Sequence, residues 1–391
     1  MLDFSRVFAG PAAGQVLGDL GADVIKIEAP GGGDEARLLG LTEGEAPRLG
    51  ASASYLALNR NKRSITLDLK SEAGRSVARR LMLGTDVAIH NFRPGSMRRW
   101  GLDYDDIRAQ NPRLIFGEFF AYGPEGPLSD FGANDLALQA HSGLMSLTGE
   151  PDRPPVRVGS AVIDLHGAMA LVAGILAALY SREKSGEGQR LETSLLLSSA
   201  HLLSYFYTEY WLDGVVRKPM GTANHLSVPN QVFPSADGQV VIIAPSDAMW
   251  RRCAQALGPG VLDIPRYATV RDRQTHRGEV VAAISGITRQ LPGDEIVRRL
   301  AAVKVNVARV NSIAEAADHP QLALAGGCAD VEYGGEQVRT VASPFRLHGT
   351  PARVRRDPPE LGRDRDAILA DFGFDDAEIR TLRDEGAFGS D

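Results

Sequence analysis

Short β-branched runs alternate with segments of helical periodicity over the first half of the chain. Residues 23–28 (DVIKIE), 64–69 (SITLDL), 86–90 (DVAIH) and 113–119 (RLIFGEF) read as strands. Between them, residues 12–20, which stop at Gly21, and residues 71–83 carry apolar positions at helical spacing. Strands alternating with helices predict βαβ units. The expected fold is therefore α/β, with a large Rossmann-like domain whose mainly parallel sheet is covered on both faces. The middle of the chain reads as helical over 135–147, 165–184 and 194–212, with a short strand at 189–192.

The pattern changes near Asp213. Pro, Gly and Asn punctuation surrounds an apolar run at 239–244 (QVVIIA), and helical segments follow at 248–257 and 273–300, the latter broken at Pro292-Gly293. This predicts a smaller α+β domain over 213–325, set into a large domain formed by 1–212 and 326–391. The tail reads as two short helices, 366–373 and 375–385, with acidic N-caps. The longest apolar run, residues 167–180, is shorter than the roughly 20 residues that span a bilayer as a helix. It is read as a buried core helix.

Composition narrows the function classes. The 391 residues are 43% apolar and 24% charged with a net charge of −6, which suits a soluble protein and argues against a nucleic-acid partner. The two cysteines, Cys253 and Cys328, lie far apart in the chain, and the eight histidines form no H-x-x-x-H pair. Neither a disulfide framework nor a metal site is suggested, and the N-terminus shows no signal-peptide pattern, so a cytoplasmic protein is expected. Gly31-Gly32-Gly33 follows a proline and enters a polar loop, without the strand-to-helix context of a dinucleotide fingerprint.

Asp164 follows the apolar run 161–163 and precedes a long helical segment. Its local sequence favours an N-cap over a catalytic carboxylate, although the two roles are compatible. Several blocks, however, occur in one order along the chain. They are residues 2–10 with Pro11, 21–28 (GADVIKIE), 61–70 (NKRSITLDLK), 91–95 (NFRPG), 186–189 (GEGQ) and the tail from Leu361-Gly362 to Gly373. Together they resemble the family III CoA-transferases, the CaiB/BaiF group that includes formyl-CoA and carnitine CoA-transferases.

That resemblance implies more than the residues show by themselves. It implies CoA transfer from an acyl-CoA, with succinyl-CoA a possible donor, to a small carboxylic acid, with Asp164 as covalent nucleophile and no tightly bound cofactor. Asp135 falls on an acidic position thought to assist the acyl-aspartyl steps, although an N-cap explains it equally well. Val7, Phe8 and Ala9 fall where the family lines the thioester site, and Phe8 stands where some members have glutamine. Leu67 and Lys70 match positions at the nucleotide end of CoA, and Asn91, Phe92 and Arg99 match the next CoA-binding segment. Ala29 replaces an arginine common in the family, and Arg37 is a candidate to supply that contact. His166 is read as supporting Asp164 or as a core histidine.

The resemblance further implies an interlocked homodimer. Members usually begin with a Pro-Leu-x-Gly lead that this chain lacks, so a shortened first strand or a late start is expected. Residues 221–229 (GTANHLSVP) lack the glycine run of oxalate-using members, which favours an acceptor such as succinate, malate or mesaconate, with His225 or a basic side chain on its distal carboxylate. The alternative activity is that of an α-methylacyl-CoA racemase. A racemase needs a histidine immediately before the residue that matches Asp135, and here that residue is Asn134, which cannot serve as a second proton acceptor.

Overall fold

The computed structural model describes residues 1–40 and 48–389. The chain forms two compact units. The first comprises Met1–Leu144, Arg157–Val215 and the chain from Ala323 onward, and the second Met145–Val156 and Val216–Leu322.

The first unit is built on a six-stranded sheet: β1 (Leu2–Asp3), β2 (Val24–Glu28), β3 (Lys62–Thr66), β4 (Val87–His90), β5 (Ile115–Phe120) and β6 (Arg190–Ser194). The order is β3-β2-β1-β4-β5-β6 and every neighbouring pair is parallel. β1 has only two residues but pairs with β2 on one side and β4 on the other. The strand order therefore reverses between β1 and β4. Connections on either side of such a reversal leave in opposite directions and open a crevice at the carboxyl ends of the strands.

Two apolar layers cover the sheet. Val77, Leu81 and Met82 of helix Glu72–Leu83 join Ile368 and Leu369 of helix Arg365–Asp371 on one face. Ala13, Val16 and Leu17 of helix Ala9–Asp19 meet Leu171, Val172 and Ile175 of helix Val162–Ser185 on the other. The tail is pinned to β3, since Asp364 N–H donates to Ser64 O at 3.0 Å and accepts from Ser64 N–H at 2.9 Å through its side chain. The strands β10 (Cys328–Tyr333) and β11 (Glu336–Val341) form an antiparallel hairpin in this unit. In the second unit β7 (Asn230–Ser235), β8 (Gly238–Ile243) and β9 (Asn306–Arg309) form an antiparallel sheet in the order β7-β8-β9. Helices Asp247–Leu257, Arg277–Thr288 and Gly293–Ala302 bury Trp250, Ile284 and Leu300 with Phe233 and Ile242 of that sheet.

Several sequence expectations shift. The strand expected at 64–69 ends at Thr66, because Ser71 caps the next helix and the intervening residues must turn. The helix expected at 135–147 divides into Asp135–His141 and Leu144–Leu147 around Gly143, which has φ +87°. The segment 194–212 breaks at Leu203, and the segment 273–300 is divided by breaks at His276 and 289–292. Helix Val162–Ser185 is longer than its apolar run, and length and composition alone would let it cross a membrane. It is not buried all round, since Leu165, Leu176 and Tyr180 are exposed opposite its packed face.

Candidate active site

The floor of the crevice is charged, although it lies inside the sheet. Lys62 Nζ donates to Asp3 Oδ2 at 2.9 Å, and Lys26 Nζ pairs with Asp34 at 2.8 Å and donates to Ser5 O at 2.9 Å. All four side chains are essentially inaccessible, so each charge is tolerable only because its partner is present. Burial pulls the Lys62 ammonium down to about 8. Burial pushes Asp3 and Asp34 upward, but the adjacent lysines more than offset it and hold both carboxyls below the usual range.

These pairs fix the loop that follows β1. Val7 has φ +70°, a left-handed conformation that is costly for a β-branched residue, by about 1–3 kcal/mol. Its N–H donates to Asp34 Oδ1 at 3.0 Å. Arg6 N–H donates to Asn91 Oδ1 at 2.9 Å, and Asn91 Nδ2 returns a bond to Arg6 O at 2.8 Å. The loop then enters helix Ala9–Asp19, whose N-cap Phe8 offers no side-chain acceptor. Gly10 is required at this entry, because a Cβ there would fall 2.1 Å from Ser5 Cβ.

Asp164 occupies the third position of helix Val162–Ser185, not its N-cap. The cap comes from another helix. Asp135 Oδ2 accepts from Ile163 N–H at 2.8 Å and from Asp164 N–H at 3.3 Å, while its Oδ1 accepts from Gln139 Nε2. Asn134, in turn, caps Asp135's own helix by accepting from Ala137 N–H at 3.1 Å. Asp135 thus satisfies N–H groups that a helix start leaves orphaned, and its side chain is buried. The carboxylate of Asp164 has no hydrogen-bond partner among the described residues. Burial, and then the charge of Asp135, raise its pKa to about 7.

Two cavities open along the carboxyl edge of the sheet. The larger, about 760 Å³, is lined by Ser5, Lys26, Leu67, Lys70, Phe92 and Trp100 among others. The smaller, about 200 Å³, is lined by Val7, Phe8, Ala9, Asn91, Phe92 and Asp164 together with aromatic residues of β5 and the following loop. Arg6, Phe92 and Arg93 belong to both walls. A carboxylate without a partner thus stands in an aromatic pocket that adjoins a larger, partly basic cleft.

The description of CoA-transferase family III matches residues 1–365. The chain belongs to this family. It is 37% identical over 377 residues to the succinate–glutarate CoA-transferase of Agrobacterium fabrum, covering 95% of this chain and 94% of that protein. It is 32% identical to the succinyl-CoA–D-citramalate CoA-transferase of Chloroflexus aurantiacus, covering 98% and 95%. A CaiB/BaiF family protein from Brucella suis shares the fold with a TM-score of 0.84 and 33% identity, covering 95% of this chain and 97% of that one. The chain is therefore a CoA-transferase, and the substrates of such an enzyme include a CoA thioester.

The fold brings most of the expected site residues of this transferase together, and three stand elsewhere. Arg37 is buried and fully engaged. It donates to Glu28 through Nε at 2.9 Å and Nη2 at 2.7 Å, and to the Tyr55 hydroxyl at 2.6 Å, so it is not free to replace the missing contact at Ala29. Arg99 is exposed and donates to Ser96 Oγ at 2.9 Å beside the larger cleft without lining it. Asp135 acts on Asp164 through the backbone and through its charge. Asn91 lines the smaller cavity but spends both ends of its amide on Arg6. His166 is neither a core residue nor a wall of either cavity: its Nε2 lies 3.0 Å from Nδ1 of His201, with the rings stacked. His225 belongs to the second unit. Arg93, on the wall of both cavities, is not among the expected residues, although it stands inside the segment NFRPG and follows the end of β4, where crevice residues are found.

Proposed function

We propose that the transferase moves CoA from an acyl-CoA, succinyl-CoA among the candidates, to a small carboxylic acid through a covalent intermediate on Asp164. The observation that carries this reading is the partnerless carboxylate of Asp164 on the wall of the smaller cavity. One carboxylate oxygen attacks the thioester carbonyl, the C–S bond breaks, and CoA leaves as the thiolate. The mixed anhydride is recaptured by CoA thiolate at the Asp164 carbonyl, which gives an aspartyl-CoA thioester and releases the donor acid. The acceptor carboxylate then attacks that thioester, expelling CoA thiolate and forming a second anhydride. CoA thiolate attacks the acceptor's acyl carbon, releasing the new CoA ester and restoring Asp164. Each step exchanges one acyl bond for another, which is the general use of a covalent nucleophile.

The larger cleft suits the nucleotide end of CoA, with Leu67 and Phe92 on its wall. Lys70 lines it and Arg99 stands at its margin, where their charges serve phosphate. Racemisation is disfavoured because Asn134 is committed to capping its helix and carries no titratable proton. Assembly as an interlocked homodimer is supported by apolar side chains left exposed in the first unit, including Leu197, Tyr205, Trp211 and Leu212. Both cysteines are unpaired, which suits the cytoplasm. The test is mass spectrometry of the protein incubated with an acyl-CoA. Acyl or CoA mass on the peptide holding Asp164 is expected; CoA exchange that persists in Asp164→Ala overturns the assignment.

A further inference from the structure

Among the described residues, Arg93 is the single cation on the Asp164 cavity that has no anionic partner. The only other basic side chain on that wall, Arg6, is paired with Glu35 at 2.6 Å. The amides of Asn91 and Asn134 are committed to backbone groups. Most of the remaining wall is apolar, formed by Phe8, Phe119, Phe120, Phe131 and Leu195. The Arg93 side chain is exposed, and its guanidinium lies close against Gly132 on this wall, since a Cβ at Gly132 would come within 3.1 Å of its Nη2. An acyl chain joined to Asp164 would therefore share this cavity with aromatic rings and one uncommitted guanidinium. A monocarboxylic chain would use the rings alone, whereas a second carboxylate can take two hydrogen bonds from the guanidinium.

We propose that Arg93 binds the distal carboxylate of a dicarboxylic acyl group held at Asp164, and so selects dicarboxylic acids over monocarboxylic acids of equal length. This specificity role rests on the Asp164 reading. It assigns the recognition of the distal carboxylate to the NFRPG segment of the first unit.

The experiment measures steady-state transfer by the full-length wild type, Arg93→Gln and Arg93→Lys. Diacids of four and five carbons are compared with the matched monoacids butyrate and valerate. The wild type is expected to favour the diacids. Arg93→Gln raises their KM about tenfold, which corresponds to about 1.4 kcal/mol, and leaves the monoacids unchanged; Arg93→Lys recovers part of the preference. Acylation of Asp164 by butyryl-CoA, followed by mass spectrometry, stays at the wild-type rate in both variants. That arm reports on Asp164 independently, so loss of the adduct in the wild type would count against the nucleophile and not against Arg93. The proposal is overturned if the wild type shows no diacid preference or if Arg93→Gln leaves that preference intact. It is equally overturned if the variant raises the KM of every CoA ester alike, as loss of a CoA phosphate contact would.

Discussion

Between pH 6 and pH 8 the rate at which Asp164 takes an acyl group from a thioester is expected to rise about tenfold. Only the ionised carboxylate is nucleophilic, and the raised pKa of about 7 comes first from burial and second from Asp135. With that value about 9% of the groups are ionised at pH 6 and about 91% at pH 8. An aspartate at the ordinary value of about 3.9 would be almost fully ionised at both, and the profile would be flat. The assay is rapid-quench release of CoA in a single turnover, which keeps product release from masking the chemical step. Asp135→Asn removes the second cause and leaves the first, while its amide oxygen still accepts from Ile163 N–H. The acidic limb should move to lower pH but not as far as the ordinary carboxylate range. A flat wild-type profile between pH 6 and 8 would refute the raised pKa. An unmoved limb in Asp135→Asn would refute the influence of Asp135.

The same shift makes a stability prediction for Asp164→Asn. The folded pKa lies above the unfolded one, so this group favours the fold below about pH 4 and loses that contribution as pH rises through about 7. The neutral amide should therefore raise Tm at pH 8 and not at pH 4. About three pKa units set a ceiling of about 4 kcal/mol, which partial exposure reduces to roughly 1–2. Thermal melts at the two pH values check this, while transfer falls at least about a thousandfold. Gly167→Ala, one turn beyond Asp164, would place a Cβ 2.5 Å from Phe119 Cζ and 2.8 Å from Ser198 Oγ. The overpacking should cost about 1–3 kcal/mol, measured by denaturant unfolding. Asn91→Ala removes both bonds that hold the Arg6 backbone and should cost about 1–2 kcal/mol, with slower acylation of Asp164 as the strained Val7 turn loosens. Lys62→Met leaves the buried Asp3 carboxylate without its ion-pair partner, held only by Ser5 and the field of Lys26, a loss of about 3 kcal/mol that the double variant Lys62→Met/Asp3→Asn should largely recover; chemical unfolding of both proteins decides it.

The local pattern was informative wherever structure is set by neighbours in sequence. Alternation of β-branched runs with helical spacing announced the parallel sheet, and Ser71 and Asp375 cap the helices that follow them. Val7, Phe8, Ala9, Leu67, Lys70, Asn91 and Phe92 follow strands β1, β3 and β4, and strand ends are where a parallel sheet exposes its chemistry. The charged residues Lys26 and Lys62 gave no such warning, because a strand pattern does not say which of its polar positions will be buried and paired.

Sequence by itself determined the α/β class with its parallel sheet and, through ordered blocks, Asp164 as the reactive candidate. Tertiary structure alone decided what each side chain is free to do. Arg37 was drawn to Glu28 and Tyr55, Asn91 to the Arg6 backbone, and Asp135 to the start of a helix 28 residues further along. Asp164 and Arg93 were left uncommitted on one aromatic wall. The physical reason is that hydrogen bonds and ion pairs are satisfied by whichever groups packing brings within about 3 Å, and that proximity is a property of the fold and not of the order of residues.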